Sequence, residues 1–458
     1  MMRTPLRISH GKITFVLYNR PGFCGGDCLY CFSAPGFTKS TTPNEDTLLA
    51  RECGWNGARQ LERRFDEYRL KRGGGVKCDF AVKGDSFARH DEAYLREYTR
   101  ELYDVLNGGA PSRDLAEAAV RQKEAPDRCV TYKVEARPDQ IDEAKCRLFM
   151  ELGVTTVELG VQSLDDEVLA RIMRGHGTES VRLATRLLRE RGFEVCYQMM
   201  VGLPGSNRDL DRDTLRTTLW REEYAPDAVK IYPCLLLDAK VAAQERLREL
   251  WRRGEWRPVT DDEYVAMLGE CYRDIPRWVH VNRIQRIIPA GKIEAGAARE
   301  TDRGQFDDVA RCLWQRSPAQ RLGEDGLEDR MEGWRVKVVC QGGERYCFEA
   351  LTPDDVVLGY GRLDLPRDGA AMIRDVRALG NMLPVGGANP LGRGCQHVGI
   401  GTSLLEAMEI AAAREGFRTV GVRPSFGTAG WFEKRGYTPS ATPFFHSKDV
   451  AARRMVRR

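Results

Sequence analysis

Cys24-Gly25-Gly26-Asp27-Cys28-Leu29-Tyr30-Cys31-Phe32 sets three cysteines at C-x3-C-x2-C spacing. That spacing fits three irons of a four-iron, four-sulfur (4Fe-4S) cluster. A fourth cysteine would close such a cluster; three leave one iron open, as a catalytic metal site requires. The two glycines let the loop turn tightly, and Tyr30 and Phe32 add apolar cover against solvent. A zinc knuckle would want a fourth Cys or His in a second pair. The next cysteine, Cys53, stands alone.

Just upstream, residues 12–18 (KITFVLY) predict a strand that feeds this loop. Downstream, strands are predicted over 76–82, 129–135, 155–161, 193–201, 228–232 and 279–287. The intervening helices fall near 57–71, 92–106, 141–152, 165–173, 179–191, 208–222, 240–253 and 261–273. Repeated βα units imply a parallel sheet, here a partial barrel. Site residues should then follow the C-terminal ends of the strands. Polar residues recur there: Gly84 and Asp85; Glu135, Arg137 and Asp139; Glu158, Gln162 and Ser163; Arg174 and His176; Lys230 and Tyr232; Gln285 and Arg286. One such residue is ordinarily a satisfied structural group. Their recurrence at the same end of successive strands points to a shared pocket.

At 334 the pattern changes. Antiparallel strands are predicted over 335–340, 346–351, 356–363, 373–379 and 384–386. Gln396-His397-Val398-Gly399-Ile400-Gly401-Thr402 then opens a helix to about 415, followed by a strand at 419–422 and by Trp431-Phe432 and Tyr437. Glycines at such a turn let backbone N–H groups face a pyrophosphate over the helix N-terminus. A dinucleotide-binding fold is excluded because no βαβ unit surrounds the glycines. Residues 290–333, charged and Gly-rich, read as a connector between domains at 1–289 and 334–458. Cys312, Cys340 and Cys347 could gather a zinc ion, but they fit buried thiols better.

The 458 residues are 42% hydrophobic and 30% charged, as in a globular protein. No apolar run reaches the ~18 residues of a membrane span, and no secretion signal opens the chain. Fourteen cysteines spread through apolar segments fit reduced thiols in a cytoplasm. The net charge of +4 neither demands nor excludes a nucleic acid. Basic residues at 63–72, 244–257 and 453–458 each read as solvated surface, or as an RNA contact if RNA is the substrate.

The cysteine spacing, with an aromatic before the last cysteine, resembles the radical S-adenosylmethionine (SAM) enzymes. Gln396–Thr402 with its helix and strand resembles the GNAT acetyltransferases. Together with Glu135-Ala-Arg-Pro-Asp139, Glu158-Leu-Gly-Val-Gln-Ser163, Arg174-Gly-His176, Pro226–Pro233 and Arg283–Pro289, the pair resembles the Elongator catalytic-subunit family, as a divergent short prokaryotic-type member. The implied fold is α/β, a partial parallel (β/α) radical-SAM barrel followed by a mixed α+β GNAT domain. The implied activity is tRNA wobble-uridine C5 carboxymethylation, with a 4Fe-4S cluster, SAM and acetyl-CoA as cofactors. The partners expected are tRNA and acetyl-CoA, with no membrane; a homodimer is compatible. The resemblance gives Cys24, Cys28 and Cys31 the cluster, and Gly84, Glu135, Arg137 and Gln162 the SAM. Lys230 and Tyr232 would position the acetyl thioester or the base. Gln396, His397, Val398, Gly399, Gly401, Thr402, Phe432 and Tyr437 would hold coenzyme A (CoA).

This chain departs from the family at four points. The gap between the first two cysteines is short, and Lys83-Gly84-Asp85-Ser86-Phe87 stands where the family has a Gly-Gly-Thr-Phe-like segment. The 23 residues before Cys24 are too few for the family's basic arm, and Trp431-Phe432 replaces a Tyr pair. Two other readings remain: the same acyl-CoA radical chemistry on a small molecule, and a CoA- and tRNA-binding module without catalysis. The leading reading requires the Gln396 loop and the three cysteines to share one cavity.

Overall fold

In this computed structural model the residues described are 7–9, 11–22, 24–33, 36–37, 41, 43–72, 75–238, 241–285, 288–301, 303–306, 309, 312–313, 315–318, 333–387 and 395–455. The first sheet has eight strands in chain order: β1 (Arg7–Ser9), β2 (Lys12–Tyr18), β3 (Lys77–Lys83), β4 (Arg128–Ala136), β5 (Thr156–Gln162), β6 (Glu194–Val201), β7 (Ala228–Pro233) and, after a short β8 (Leu236–Leu237), β9 (His280–Arg283). β1 runs antiparallel to β2; every other pairing in this sheet is parallel. Helices cross between successive strands and cover one face, so the sheet is a half-barrel with the expected βα order.

The strands alternate in a way that explains the rest of the molecule. Parallel strands covered on both sides ordinarily read apolar throughout. Here one set of side chains, among them Phe15, Leu17, Phe80, Val82, Val134, Val157, Leu159, Val195 and Val229, packs in a single core. The other set is polar and meets across the concave side. Lys12 bonds Thr131, Lys133 bonds Asp79, Thr156 bonds Glu194, and Lys83 bonds Glu135. The lumen of the half-barrel is thus occupied along its strands by paired, buried polar side chains.

A second sheet has the order β11-β12-β13-β14-β15-β17-β16, from β11 (Arg335–Gly342), β12 (Arg345–Leu351), β13 (Val357–Asp364), β14 (Ala371–Ala378), β15 (Thr419–Val422), β16 (Thr438–Pro439) and β17 (His446–Asp449). Only β14 and β15 are parallel neighbours. The Ile400–Arg414 helix lies between them in sequence, and its Leu404, Leu405 and Met408 fill this domain's core. A further short strand, β10 (Ile293–Ala295), pairs with β8 within the expected connector.

Arginines dock the second domain against the N-terminal ends of the barrel strands. Arg374 bonds the Phe193 carbonyl and the Asp227 carboxylate; Arg362 donates to Asp227 O (2.9 Å) and Trp278 O (3.1 Å). Arg377 bonds Glu194 (2.7 Å), and Arg423 donates to Val154 O (2.8 Å). Below them Arg316, buried, makes a two-point pair with the fully buried Glu349, which also takes Arg277.

Most boundaries fall within two residues of expectation. The segment 384–386 is a docking loop and no strand: Pro384 lacks the N–H a ladder needs, and Val385 N donates to Gly75 O at 2.7 Å. The predicted strand 279–287 ends at Arg283; residues 286–287, with Arg286, lie outside the described residues. Helices Glu45–Glu52 and Leu115–Gln122 were not expected; Asn44 and Asp114 cap them. Among the described residues, no helix is long and apolar enough to cross a membrane.

Candidate active site

The cysteine loop follows β2, at the C-terminal end of the barrel. Neighbours pin it from several sides. Gln140 Nε2 donates to Cys24 O (2.8 Å), Leu29 N to Ile172 O (3.0 Å) and Gln244 Nε2 to Tyr30 O (3.3 Å). Arg246 bonds the Asp27 carboxylate at 2.9 Å. Cys28 is buried, Cys24 and Cys31 partly so, and none is in a disulfide. Arg174 Nη1 lies 3.5 Å from Cys28 Sγ. Among the described residues, no three His, Cys, Asp or Glu side chains converge as a single ion would need. A cubane asks for something else, one soft thiolate on each of three irons. Three thiols on one glycine-bearing loop beside a buried cation fit that group.

The turn beside this loop is built from left-handed backbone. Gly84 (φ 96°) and Asp85 (φ 50°) end β3, and Asp85 accepts from Gly22 N at 2.5 Å. Gln162, ending β5, also has a positive φ (73°) and is buried. A non-glycine residue in that region is strained and marks a candidate ligand clamp.

Below lies the upper layer of the lumen. Glu158, 3% exposed, accepts from both Lys83 and Lys230, and Glu135 accepts from Lys83 (2.9 Å) and Gln198 (2.9 Å). Burial opposes the Glu158 charge, but Lys230 and Lys83 outweigh it and hold the carboxyl well below its usual range. Burial likewise opposes the Lys83 ammonium, and Glu135 and Glu158 carry its pKa upward. Lys230 differs: burial dominates and lowers it to about 8. Tyr232, two residues on, is buried at the end of β7. A second charged layer sits nearer the other end, where Asp79 takes Lys133 (2.6 Å) and Lys12 (3.5 Å). Burial, then Arg377, lowers Lys12 to about 7.

The glycine loop of the second domain lies at the opposite end of the strands. Gln396 Nε2 donates to Gly11 O (2.8 Å), and its Oε1 accepts from Lys77 (2.6 Å). β2 separates this point from the cysteines, a span of roughly 20 Å at ~3.3 Å per residue. The Gln396 carboxamide is therefore a docking group between the domains. His397 (φ 63°) is exposed, its ring beside Lys77. Gly399 (φ 92°) caps the helix, leaving the first N–H groups at Ile400, Gly401 and Thr402. Val398 packs partly buried against the domain core. Phe432 and Tyr437 are buried in that core, and the Tyr437 hydroxyl bonds Glu409 at 3.2 Å. The structure thus brings Glu135, Glu158 and Lys230 together and sets Gly84 and Gln162 at the same end of the strands. It leaves Phe432 and Tyr437 in packing positions.

Sequence reasoning missed several residues. Gln140, Gln244 and Arg246 hold the cysteine loop but carry no spacing signal. Arg137 and Asp139 were both named, but not as a pair: Asp139 holds Arg137 at 3.0 and 3.1 Å. Arg435 sits 3.8 Å over the Trp431 ring and 3.0 Å from Thr402 Oγ1, placing a cation at the helix N-terminus. Basic side chains expected to face solvent are paired: Arg63 with Glu52, Arg64 with Asp46, Arg248 with Glu294. The side chains at 66–72 and 454–458 lie outside the described residues. Cys312 bonds Gln315, Cys347 is buried in a cluster with Leu313, and the Cys340 side chain is also outside them.

Residues 18–217 match the Radical SAM superfamily and 226–315 the Radical_SAM C-terminal domain. The chain is 29% identical over 95% of its length to a tRNA uridine(34) acetyltransferase of Methanocaldococcus jannaschii, covering 84% of that protein. It is 28% identical to one from Dehalococcoides mccartyi (95% and 97%) and 26% identical to human Elongator complex protein 3 (94% and 83%). Among solved structures, the archaeal Methanocaldococcus infernus Elp3 lacking residues 1–46 superposes with a TM-score of 0.76 at 24% identity, covering 97% of this chain and all of that one. The chain is a radical SAM enzyme, and its resemblance to the Elongator catalytic subunit extends over nearly its whole length.

Proposed function

We infer that this chain adds a carboxymethyl group to carbon 5 of the wobble uridine of tRNA, drawing two carbons from acetyl-CoA. The observation that supports this reading is the band of buried charges along the concave side of the half-barrel. One end of it meets the cysteine loop; at the other, Arg377 of β14, in the domain that carries the Gln396 loop, bonds Glu194. Relatives that match over 95% of this chain carry tRNA uridine(34) in their names.

When bound, the cluster and SAM supply a 5′-deoxyadenosyl radical, the hard chemistry of the reaction. The chain's own groups do the rest. Cys24, Cys28 and Cys31 would hold the cluster, and Gly84 and Gln162 would bind SAM. Backbone N–H groups at Gly401 and Thr402, with Arg435, take the CoA pyrophosphate. To bring the acetyl group toward Lys230 and Tyr232, the pantetheine arm would run along the concave side past the Arg377–Glu194 pair, which would have to part. Glu135 and Glu158 fix the lysines, so that the Lys230 ammonium and the Tyr232 hydroxyl orient the thioester carbonyl or the uracil edge. One hydrogen atom would pass from the acetyl methyl to the deoxyadenosyl radical, giving 5′-deoxyadenosine, and the methylene carbon would join uridine C5. To restore the base, the adduct would lose the C5 proton and give one electron to the oxidised cluster; water would then cleave the thioester and release the CoA thiol.

Phe432 favours a second reading. It has no hydroxyl to offer a departing thiolate, so the thioester step could differ, with a small molecule as acceptor. The test is anaerobic reconstitution with SAM, dithionite and acetyl-CoA, with and without tRNA, followed by mass spectrometry. Carboxymethyluridine with 5′-deoxyadenosine supports the tRNA reading; 5′-deoxyadenosine with unmodified tRNA supports the small-molecule one.

A further inference from the structure

We propose that Arg174, with Arg137 packed behind it, sets the reduction potential of the iron–sulfur cluster by donating an N–H group to the Cys28 sulfur. Both guanidiniums are nearly sealed from solvent, 4% and 5% exposed. Arg174 places Nη1 3.5 Å from Cys28 Sγ and bonds the Gly160 carbonyl through Nη2, while its Nε is buried with no partner. Its own carbonyl accepts from Arg137 Nη2 at 2.8 Å. Asp139 holds Arg137 through Nε and Nη2, which leaves Arg137 Nη1 buried and unpartnered. That nitrogen is pressed against the cysteine loop. A Cβ added at Gly26 would lie 2.4 Å from it and 3.5 Å from Cys28 Sγ. A Cβ at Gly160 would lie 2.8 Å from Arg174 Nη2, so both arginines approach through gaps that only glycine leaves.

The charge balance points the same way. A buried cation needs an anion, and an orphaned N–H costs its full desolvation. Arg137 has Asp139, but the hydrogen bonds of Arg174 go to a neutral carbonyl and to a cysteine sulfur. The Cys28 thiolate, bound to an anionic cluster, would complete Arg174. Reduction adds a negative charge, which a buried cation in contact stabilises, and hydrogen bonds to cluster sulfurs are an established lever on potential. Losing that donor should therefore make the cluster harder to reduce.

The test needs no SAM, acyl donor or RNA, so it stands or falls separately from the carboxymethylation reading. Full-length protein is reconstituted anaerobically, iron and sulfide are counted, and the potential is followed by electron paramagnetic resonance during redox titration. Arg174→Gln should move the potential to more negative values, and Arg174→Lys, which keeps the charge, should fall between it and wild type. Gly26→Ala, whose new carbon displaces Arg137 Nη1, should also move it negative. A filled cluster at the wild-type potential in Arg174→Gln overturns the proposal. Should Arg174→Gln fail to hold iron, wild-type potentials in both Arg174→Lys and Gly26→Ala overturn it equally. Weakened SAM binding at an unchanged potential would assign the pair to SAM and refute it.

Discussion

Replacing Glu158 by Gln removes the carboxylate that two buried lysines share. Lys83 keeps Glu135 at 2.9 Å; Lys230, whose side chain is 10% exposed, loses its ion-pair partner. Breaking a buried pair from one side costs about 3–5 kcal/mol because a charge is left uncompensated. Since Lys83 retains a partner, the lower figure applies, about 3 kcal/mol at pH 7. With a urea m-value of ~3 kcal/mol/M for a large domain, the barrel's unfolding midpoint should fall by about 1 M. The loss should also shrink as pH rises. Lys230 already titrates near 8, and losing Glu158 removes an influence that raises it. Above that pH the lysine is neutral in the folded variant and nothing is left unpaired. Glu158→Gln with Lys230→Met should recover most of the stability, giving a coupling of about 2 kcal/mol in a double-mutant cycle. Urea denaturation followed by circular dichroism at pH 7 and pH 9 measures all of this. A loss below about 1 kcal/mol, or simple additivity of the two substitutions, would refute the view of the lumen as a tightly compensated charge network.

Other outcomes follow from the same geometry. Cys28→Ala should abolish iron loading and 5′-deoxyadenosine formation while acetyl-CoA still binds by calorimetry; retained SAM cleavage would contradict the ligand assignment. Gly401→Val adds bulk where a Cβ already lies 3.4 Å from Trp431, and should weaken CoA binding tenfold or more with the cluster's absorbance unchanged. If the Lys230 ammonium orients the acceptor, turnover should fall as pH rises through about 8, the side on which the depressed lysine loses its proton; a flat profile from pH 7 to 9 would remove that role. Glu349→Gln strips the buried Arg316 of its two-point partner and should cost about 3–5 kcal/mol by thermal or urea melting, with SAM cleavage by the surviving folded protein unaltered.

The parallel half-barrel was legible because apolar strands and amphipathic helices alternate over some 270 residues, and the cysteines announced themselves by spacing. The polar ends of β4, β5 and β7 were legible too, since Glu135, Glu158 and Lys230 interrupt apolar runs. Less accessible was that the interruption extends along the strands. Lys12, Asp79 and Glu194 near strand starts, and Lys133 within β4, look like surface residues until the register of β2 through β6 stacks them inside. Docking was illegible for a related reason. Arg362, Arg374 and Arg377 sit on strands and Arg423 just past β15, and the approach of the barrel's strand ends covers their side chains. Gln396 was read as part of a ligand loop from its local motif; its side chain bonds Gly11 and Lys77, more than 300 residues away in the chain, which the motif does not record. The Arg137–Arg174 contacts depend on two glycines being small, which no periodicity records.

On this mechanism a hydrogen from the acetyl group of a CoA thioester bound on the second domain is taken at the cysteine end of the barrel. The most direct measurement uses acetyl-CoA carrying a trideuterated methyl, with reduced, reconstituted protein, SAM and tRNA, and weighs the 5′-deoxyadenosine formed. The account predicts one deuterium in that product, lost in Cys28→Ala and diminished in Gly401→Val. Unlabelled 5′-deoxyadenosine formed alongside modified tRNA would contradict it.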